Sequence, residues 1–159
     1  MIKINIKEVV ENLIDTFLYA GKISLELRKK GLTKEIKNDN TPVSNGDIEI
    51  NKIVTKKINE LTPNIPIISE ESSENKLKKD LKDFWLIDPI DGTYDYINNL
   101  DEFTINAGLI LNKNPVAGLI YAPAKNRMFY TYADNCAYEL IKDKPLKLNS
   151  AKNFNKDEI

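Results

Sequence analysis

Residues 84–93 read Phe-Trp-Leu-Ile-Asp-Pro-Ile-Asp-Gly-Thr, an apolar run that ends in two acids and a glycine. The run 84–87 predicts a buried strand. Pro89 favours an extended conformation for Asp88, and Gly92 allows the chain to turn sharply after the second acid. Both carboxylates would then project from a rigid strand end toward one place.

Upstream of this stretch, the sequence predicts two helices. Apolar residues recur at helical spacing over 6–30, and Gly31 ends that pattern. A second helical pattern runs from about 44 to 61 and is closed by Pro63. The polar residues 32–43 between the two patterns predict a loop, and the charged residues 70–83 predict an exposed one.

Downstream, the sequence predicts an antiparallel meander. Residues 103–111 alternate apolar and polar, as a strand with one buried face does, and the turn at 112–114 indicates a hairpin. Further short apolar runs lie at 116–121, 128–132, 136–141 and 146–148, with breaks at 123–126 and 133–135. Upstream of the two acids, the short apolar run 65–68 predicts another buried strand. Helices followed by a run of strands predict an α+β fold, with two N-terminal helices packed on a mostly antiparallel sheet.

Composition narrows the chemistry available to the 159 residues. The net charge is −1, so the chain lacks the basic field typical of proteins that bind nucleic-acid polymers. It has no histidine and one cysteine, Cys136, which excludes Ser-His-Asp and Cys-His catalysis, the common zinc sites and an internal disulfide. Carboxylates and carbonyls remain, and these hard oxygen ligands favour Mg²⁺. The polar N-terminus and the absence of an apolar run of about 20 residues predict a cytoplasmic protein.

The segment 88–93 has two interpretations. Asp88 and Asp91 could share a site with the first amides of a short helix over 94–97, because a helix N-terminus binds phosphate. Alternatively, the acids are solvated or capping residues of an ordinary turn.

Two other acidic segments have equally simple alternatives. Glu70 and Glu71 leave a predicted strand, where acids ordinarily begin an exposed loop. Ser44 and Asp47 have the spacing of a capping box. A catalytic role for Asp47 would be compatible with that box only if its side chain faced away from the cap.

Taken in order, these segments resemble the inositol monophosphatase-like superfamily of Mg²⁺-dependent, lithium-sensitive phosphatases. That superfamily carries an acid pair at one strand end and D-P-[I/L]-D-G-[S/T] at the next, here Glu70-Glu71 and 88–93. Segments 37–47, 69–71, 102–106 and 115–123 look most like the 3′(2′),5′-bisphosphate nucleotidase branch, and the inositol branch usually has Gly where Ser69 stands. The resemblance covers about residues 9–140 and implies the N-terminal half of a layered αβαβα sugar-phosphatase fold.

The resemblance also implies a two-metal site. Glu70, Asp88 and the Ile90 carbonyl would ligate one Mg²⁺, and Asp88 with Asp91 would contribute to a second. The lithium-inhibitable site of the superfamily is expected with them.

The catalytic groups implied by the resemblance are Asp47, Thr93 and Glu70. Asp47 and Thr93 would orient the attacking water, and the amides of Gly92 and Thr93 would hold phosphate oxygens.

The implied reaction is Mg²⁺-dependent hydrolysis of a phosphate monoester, and the branch points to the 3′-phosphate of adenosine 3′,5′-bisphosphate. Tyr94 stands where this branch often has a basic residue, so an inositol-monophosphatase-type sugar phosphatase stays open as an alternative. A non-catalytic remnant or partner-binding module is the other. The substrate would be a small phosphorylated metabolite, and the resemblance places the protein in the cytoplasm or peripherally on the cytoplasmic face of the inner membrane.

The sequence departs from the family at its C-terminal end. Family members are longer and carry W-D-x-A in their second half, whose Asp ligates the second metal. Here Trp85 is the only Trp and Leu86 follows it. We therefore expect one N-terminal metal-binding phosphatase domain over 1–159 without the family's C-terminal domain. A complementary C-terminal chain or a homo-oligomer would have to complete its site.

Overall fold

The computed structural model describes residues 4–37, 41–72, 80–132 and 136–149. The elements in these ranges are, in chain order, α1 (Ile6–Lys30), β1 (Lys34–Ile36), β2 (Pro42–Ser44), α2 (Asn45–Leu61), β3 (Ile67–Ser69), β4 (Phe84–Asp91), α3 (Thr93–Ile97), β5 (Thr104–Leu111), β6 (Asn114–Ala122), β7 (Arg127–Tyr132), β8 (Ala137–Ile141) and β9 (Lys144–Leu148). The fold is α+β, as the sequence predicts.

The two long helices pack against each other and against one face of the large sheet. Asn5 caps the first turn of α1, and Gly31 ends that helix with a φ of 96°, a conformation that favours glycine. Ser44 caps α2. The predicted helix boundaries are therefore confirmed. None of the helices in the described ranges is long and apolar enough to cross a bilayer.

The strands β3 to β9 form one sheet in chain order. β3 runs parallel to β4, and each later pair is antiparallel, which confirms the predicted meander. The period of two in β5 places Ile105, Ala107 and Leu109 in the core under the helices. The residues between them point to the opposite face, which we call the outer face.

A short hairpin replaces the loop predicted over 32–43, so that prediction is wrong. β1 and β2 pair antiparallel, and Lys37 N donates to Thr41 O at 2.8 Å. Each strand has three residues and β1 is wholly exposed. A strand this short and polar carries no apolar period to detect.

The edge strand β3 is also less buried than predicted. Ile67 and Ile68 are half-buried, because β3 pairs on one side only. The predicted loop over 70–83 and the predicted break at 133–135 include residues 73–79 and 133–135, which lie outside the described residues.

A β-bulge in β4 decides where its acids point. Asp88 pairs with Asn106, whereas Asp91 pairs with Thr104, so three steps on β4 match two on β5. Side chains alternate along a regular strand, so acids three residues apart would lie on opposite faces. The extra residue returns both to the outer face, while Ile90 turns into the core with 1% exposure.

The middle of the outer face is largely apolar. Leu86 and Ile120 are 52% and 49% exposed there. Together with Phe129 and Leu148 they line an open groove of about 500 Å³ that begins beside Asp88.

Tyr96 ties α3 to both long helices. Its buried ring lies 4.8 Å from the Phe103 ring, and its hydroxyl donates to Ser24 O of α1 at 2.7 Å. A Cβ on Gly46, at the start of α2, would lie 2.5 Å from the same ring. Glycine at 46 thus lets α2 approach α3. The burial of the Tyr96 hydroxyl also raises its pKa.

We predict that Tyr96→Phe lowers the free energy of unfolding by about 1 kcal/mol, because Ser24 O loses a buried partner. The melting temperature, followed by Trp85 fluorescence, should fall by roughly 2–4 °C. Tyr94→Phe is the matched control, since Tyr94 is 70% exposed and should change the melting temperature little. Equal melting temperatures for both variants would contradict the role given to the Tyr96 hydroxyl.

Candidate active site

The carboxyl ends of β3 and β4 meet at one edge of the sheet. Ser69 lies beside Ile87, and Glu70 N donates to Ile87 O at 3.1 Å. Because the two strands are parallel, the next residues, Glu70 and Asp88, emerge side by side. The bulge adds Asp91 to the same region.

Asp88 stands among like charges. Burial, followed by Glu70 and Asp91, raises the pKa of Asp88 to about 7, and Asp47 adds a smaller contribution. Asp88 Oδ1 is buried and has no hydrogen-bond partner among the described residues. Leaving a buried acceptor unsatisfied costs roughly 1–3 kcal/mol, so this oxygen needs a donor or a cation.

The groups around Asp88 suit a divalent cation in kind. Carboxylate and carbonyl oxygens are the ligands that Mg²⁺ takes, and Ile90 O lies near the same edge, 3.0 Å from Thr93 Oγ1. The charges of Glu70 and Asp91 both raise the pKa of Asp88. In the described part of the chain, however, no three acids already stand in metal-binding geometry. The side chains of Glu70 and Asp88 are already within hydrogen-bond reach of each other, and we expect the full ligand set to close only around a cation.

Lys37 holds the acid pair that follows β3. Its Nζ lies 2.6 Å from Glu71 Oε1 and 3.4 Å from Glu70 Oε1. The Glu71 side chain is only 5% exposed. Partial burial opposes the charge on Lys37, but the two glutamates outweigh it and raise the pKa of Lys37. Glu71 is therefore a structural partner of Lys37, and Glu70, 43% exposed, is the more accessible carboxylate.

Asp47 serves two elements at once and is 1% exposed. Its Oδ2 accepts from Ser44 N at 2.8 Å and from Ser44 Oγ at 2.6 Å, which closes the capping box of α2. Its Oδ1 accepts from Thr93 Oγ1 at 2.9 Å. Asp47 does not face away from the cap: one of its carboxylate oxygens closes the capping box, and the other accepts from Thr93.

Gly92 makes the turn from β4 into α3. Its φ is 91°, and a Cβ there would lie 2.6 Å from Glu102 O, so only glycine fits without strain. As the N-cap of α3, Gly92 has no side chain with which to bond the first amides of that helix. This is consistent with the phosphate-binding role expected for the Gly92 and Thr93 amides.

Three polar residues near the site escaped the sequence analysis of catalytic groups. Lys37 holds the acid pair, Asn51 of α2 accepts from Ser69 Oγ at 2.6 Å, and Asn106 Nδ2 donates to Asp91 Oδ2 at 3.2 Å. Ser69 is 0% exposed, so its hydroxyl anchors the end of β3 to α2. A glycine at 69 would leave this anchor out.

The chain as a whole also matches a known protein family. The profile of the inositol monophosphatase family matches residues 5–159. The chain belongs to that family. One curated member, the 3′(2′),5′-bisphosphate nucleotidase CysQ of Haemophilus influenzae, is 34% identical over 131 residues, which are 81% of this chain and 49% of that protein.

Solved structures of the family share the fold. The extragenic suppressor protein suhB of Bartonella henselae has a TM-score of 0.72 at 25% identity and covers 83% of this chain and 51% of its own. An IMPase/NADP phosphatase complexed with Mg²⁺ and phosphate has a TM-score of 0.70 at 20% identity, with coverage of 82% and 50%. The chain spans about half the length of the relatives it matches.

The raised pKa of Asp88 predicts a pH dependence of stability in chelator-treated, metal-free protein. Between about pH 4 and pH 7 the native state binds more protons at Asp88 than the unfolded state does, so this group's contribution to stability falls as the pH rises. The stability of Asp88→Asn relative to the original chain should therefore rise from pH 5 to pH 8, by about 1 kcal/mol.

Thermal melts of both proteins from pH 5 to pH 8 measure this difference. Taking the difference between them removes the contribution of titrating groups that do not interact with Asp88. Melting temperatures that stay parallel across this range would contradict the account of Asp88.

Proposed function

We propose that this half of the family fold takes part in the Mg²⁺-dependent hydrolysis of a phosphate monoester when its active site is complete. The observation that carries the proposal is the Thr93 hydroxyl, which lies between the buried Asp47 carboxylate and the Ile90 carbonyl, next to the acids of β3 and β4. A cluster of acids without this hydroxyl would explain the binding of a metal ion but not the orientation of a water molecule. A hydroxyl whose proton is drawn to a buried carboxylate is in addition suited to orient a water molecule.

Each group has a part in the proposed mechanism. Glu70, Asp88, Asp91 and the Ile90 carbonyl would hold Mg²⁺, which would supply charge neutralisation and lower the pKa of a water molecule. Thr93 has one hydroxyl proton; when Asp47 accepts it, the lone pairs of Thr93 Oγ1 are free to accept from the attacking water.

The substrate side of the site uses the turn after β4. The backbone amides of Gly92 and Thr93 would donate hydrogen bonds to phosphate oxygens and so hold the phosphate beside the acids. For the substrate we propose the 3′-phosphate of adenosine 3′,5′-bisphosphate, supported by the 34% identity to a 3′(2′),5′-bisphosphate nucleotidase and by Ser69. The exposed Tyr94, in place of a basic residue, favours a sugar phosphatase as the second candidate. A cytoplasmic location belongs to the same proposal.

We further propose that the site is incomplete on these 159 residues. The relatives are about twice as long, and the apolar groove of the outer face begins beside Asp88. The second half of such a relative, carried on the same or another chain, would cover this face and supply the remaining ligand of the second metal. A second copy of this chain is the alternative.

We predict that the purified chain binds Mg²⁺ but shows little or no hydrolysis of adenosine 3′,5′-bisphosphate at millimolar Mg²⁺. Loss of a hydrogen-bonded supporting partner already costs roughly 10- to 100-fold at metal sites, and a missing ligand should cost more. Calorimetry and phosphate release measure the two properties. Asp88→Asn should abolish Mg²⁺ binding, whereas Asp15→Asn, on the exposed face of α1, should not.

Two results would overturn this. If Mg²⁺ binds equally to the original chain and to Asp88→Asn, the metal site lies elsewhere. If the chain alone turns over at the rate of a full-length relative, with inhibition by Li⁺, it completes its own site, and the claim of incompleteness is wrong.

A further inference from the structure

Asn106 is a polar residue that lines the largely apolar groove of the outer face. It lies on the outer face of β5, directly opposite Asp88 on β4 and Ile120 on β6. Leu86 and Ile120 are exposed on the same face. Asparagine is disfavoured in strands, so packing and propensity would both favour an apolar residue here.

The hydrogen bonds of Asn106 stabilise the fold little. Its Oδ1 is buried and has no hydrogen-bond partner among the described residues, which costs roughly 1–3 kcal/mol. Its Nδ2 donates to Asp91 Oδ2 at 3.2 Å, and Asp91 is exposed, so that bond replaces one that water would make. The net effect of the asparagine on the metal-free fold should be close to zero or destabilising.

The bulge explains how Asn106 reaches Asp91. Because Asp91 is shifted to pair with Thr104, Asn106 is its diagonal neighbour on the same face. The amide engages one oxygen of Asp91 and leaves the other free. An exposed carboxylate without such a bond would sample several orientations, and fixing it in advance lowers the entropy cost of binding.

The neutrality of the amide matters as much as its N–H group. Lys37 shows what a cation does at this edge, since it pairs with Glu70 and Glu71. A lysine at 106 would neutralise Asp88 and Asp91 and compete with a metal ion. An aspartate would add to the repulsion that already raises the pKa of Asp88.

We propose that Asn106 is a positioning residue that orients the Asp91 carboxylate for divalent cation binding at the expense of apo-protein stability. This inference rests on the proposed metal site. Carboxylates that ligate metals are commonly held by such hydrogen bonds, and Asn106 supplies one without adding charge.

The test uses Mn²⁺ as the probe, because the electron paramagnetic resonance of the free ion counts what stays unbound. Asn106→Leu keeps the size and removes the donor. We expect it to weaken Mn²⁺ binding by about 10- to 100-fold and to leave the melting temperature of the chelator-treated protein equal or higher. Asn59→Leu, on the exposed face of α2, is the control and should bind Mn²⁺ as the original chain does.

A double-mutant cycle identifies the route of the effect. In the Asp91→Asn background, Asn106→Leu should cause at most a small further loss of Mn²⁺ affinity, because the residue acts through Asp91. A lower melting temperature with unchanged affinity, or full additivity with Asp91→Asn, would overturn the proposal for Asn106 alone. If the original chain binds no Mn²⁺, the proposed metal site itself fails.

Discussion

The bulge in β4 is the constraint on which the site depends. A regular strand would send Asp88 and Asp91 to opposite faces, one of them into a core that holds Trp85 and Ile87. The extra residue between them brings both acids to the outer face and turns Ile90 inward. This single bulge thus keeps apolar side chains in the core while it places both acids at the site.

The second constraint is the distribution of hydrogen bonds on Asp47. Its carboxylate closes the N-terminus of α2 and accepts from Thr93 after β4. The group expected to orient water is therefore also part of the capping box of α2, whose Ser44 cap is typically worth about 1 kcal/mol. Its place at the site is thereby fixed by a bond that the helix needs in any case, and the same carboxylate contributes to the raised pKa of Asp88.

The interactions within the metal-free site are unfavourable, and the stability of the apolar core offsets them. Asp88 Oδ1 and Asn106 Oδ1 are both buried without hydrogen-bond partners in the described ranges, whereas the core under the helices is continuous and apolar. Such local conflict is typical of functional sites, where residues serve a ligand rather than stability. The conflict should diminish when a divalent cation binds.

The features that depend on residues close together in the sequence could be predicted from the sequence. The helices, the meander, the turn at Gly92 and the strand-end acids follow from spacing and residue type, and each was recoverable. The β1–β2 hairpin was missed because three-residue strands carry no period. The pairing of Asp47 with Thr93 could be expected only through the family resemblance, since 46 positions separate them. Asn106 and Lys37 were not assigned roles, because a single polar residue gives no signal until its neighbour in space is known.

If the strand-end acids form a divalent cation site, Asp88 and Asp91 must share one ion. A crystal structure of the chain grown with Mn²⁺, with an anomalous difference map, tests this most directly. We expect a peak within roughly 2–2.5 Å of oxygens from both Asp88 and Asp91. A well-ordered site with no peak there, or a peak bound only by other residues, would contradict it.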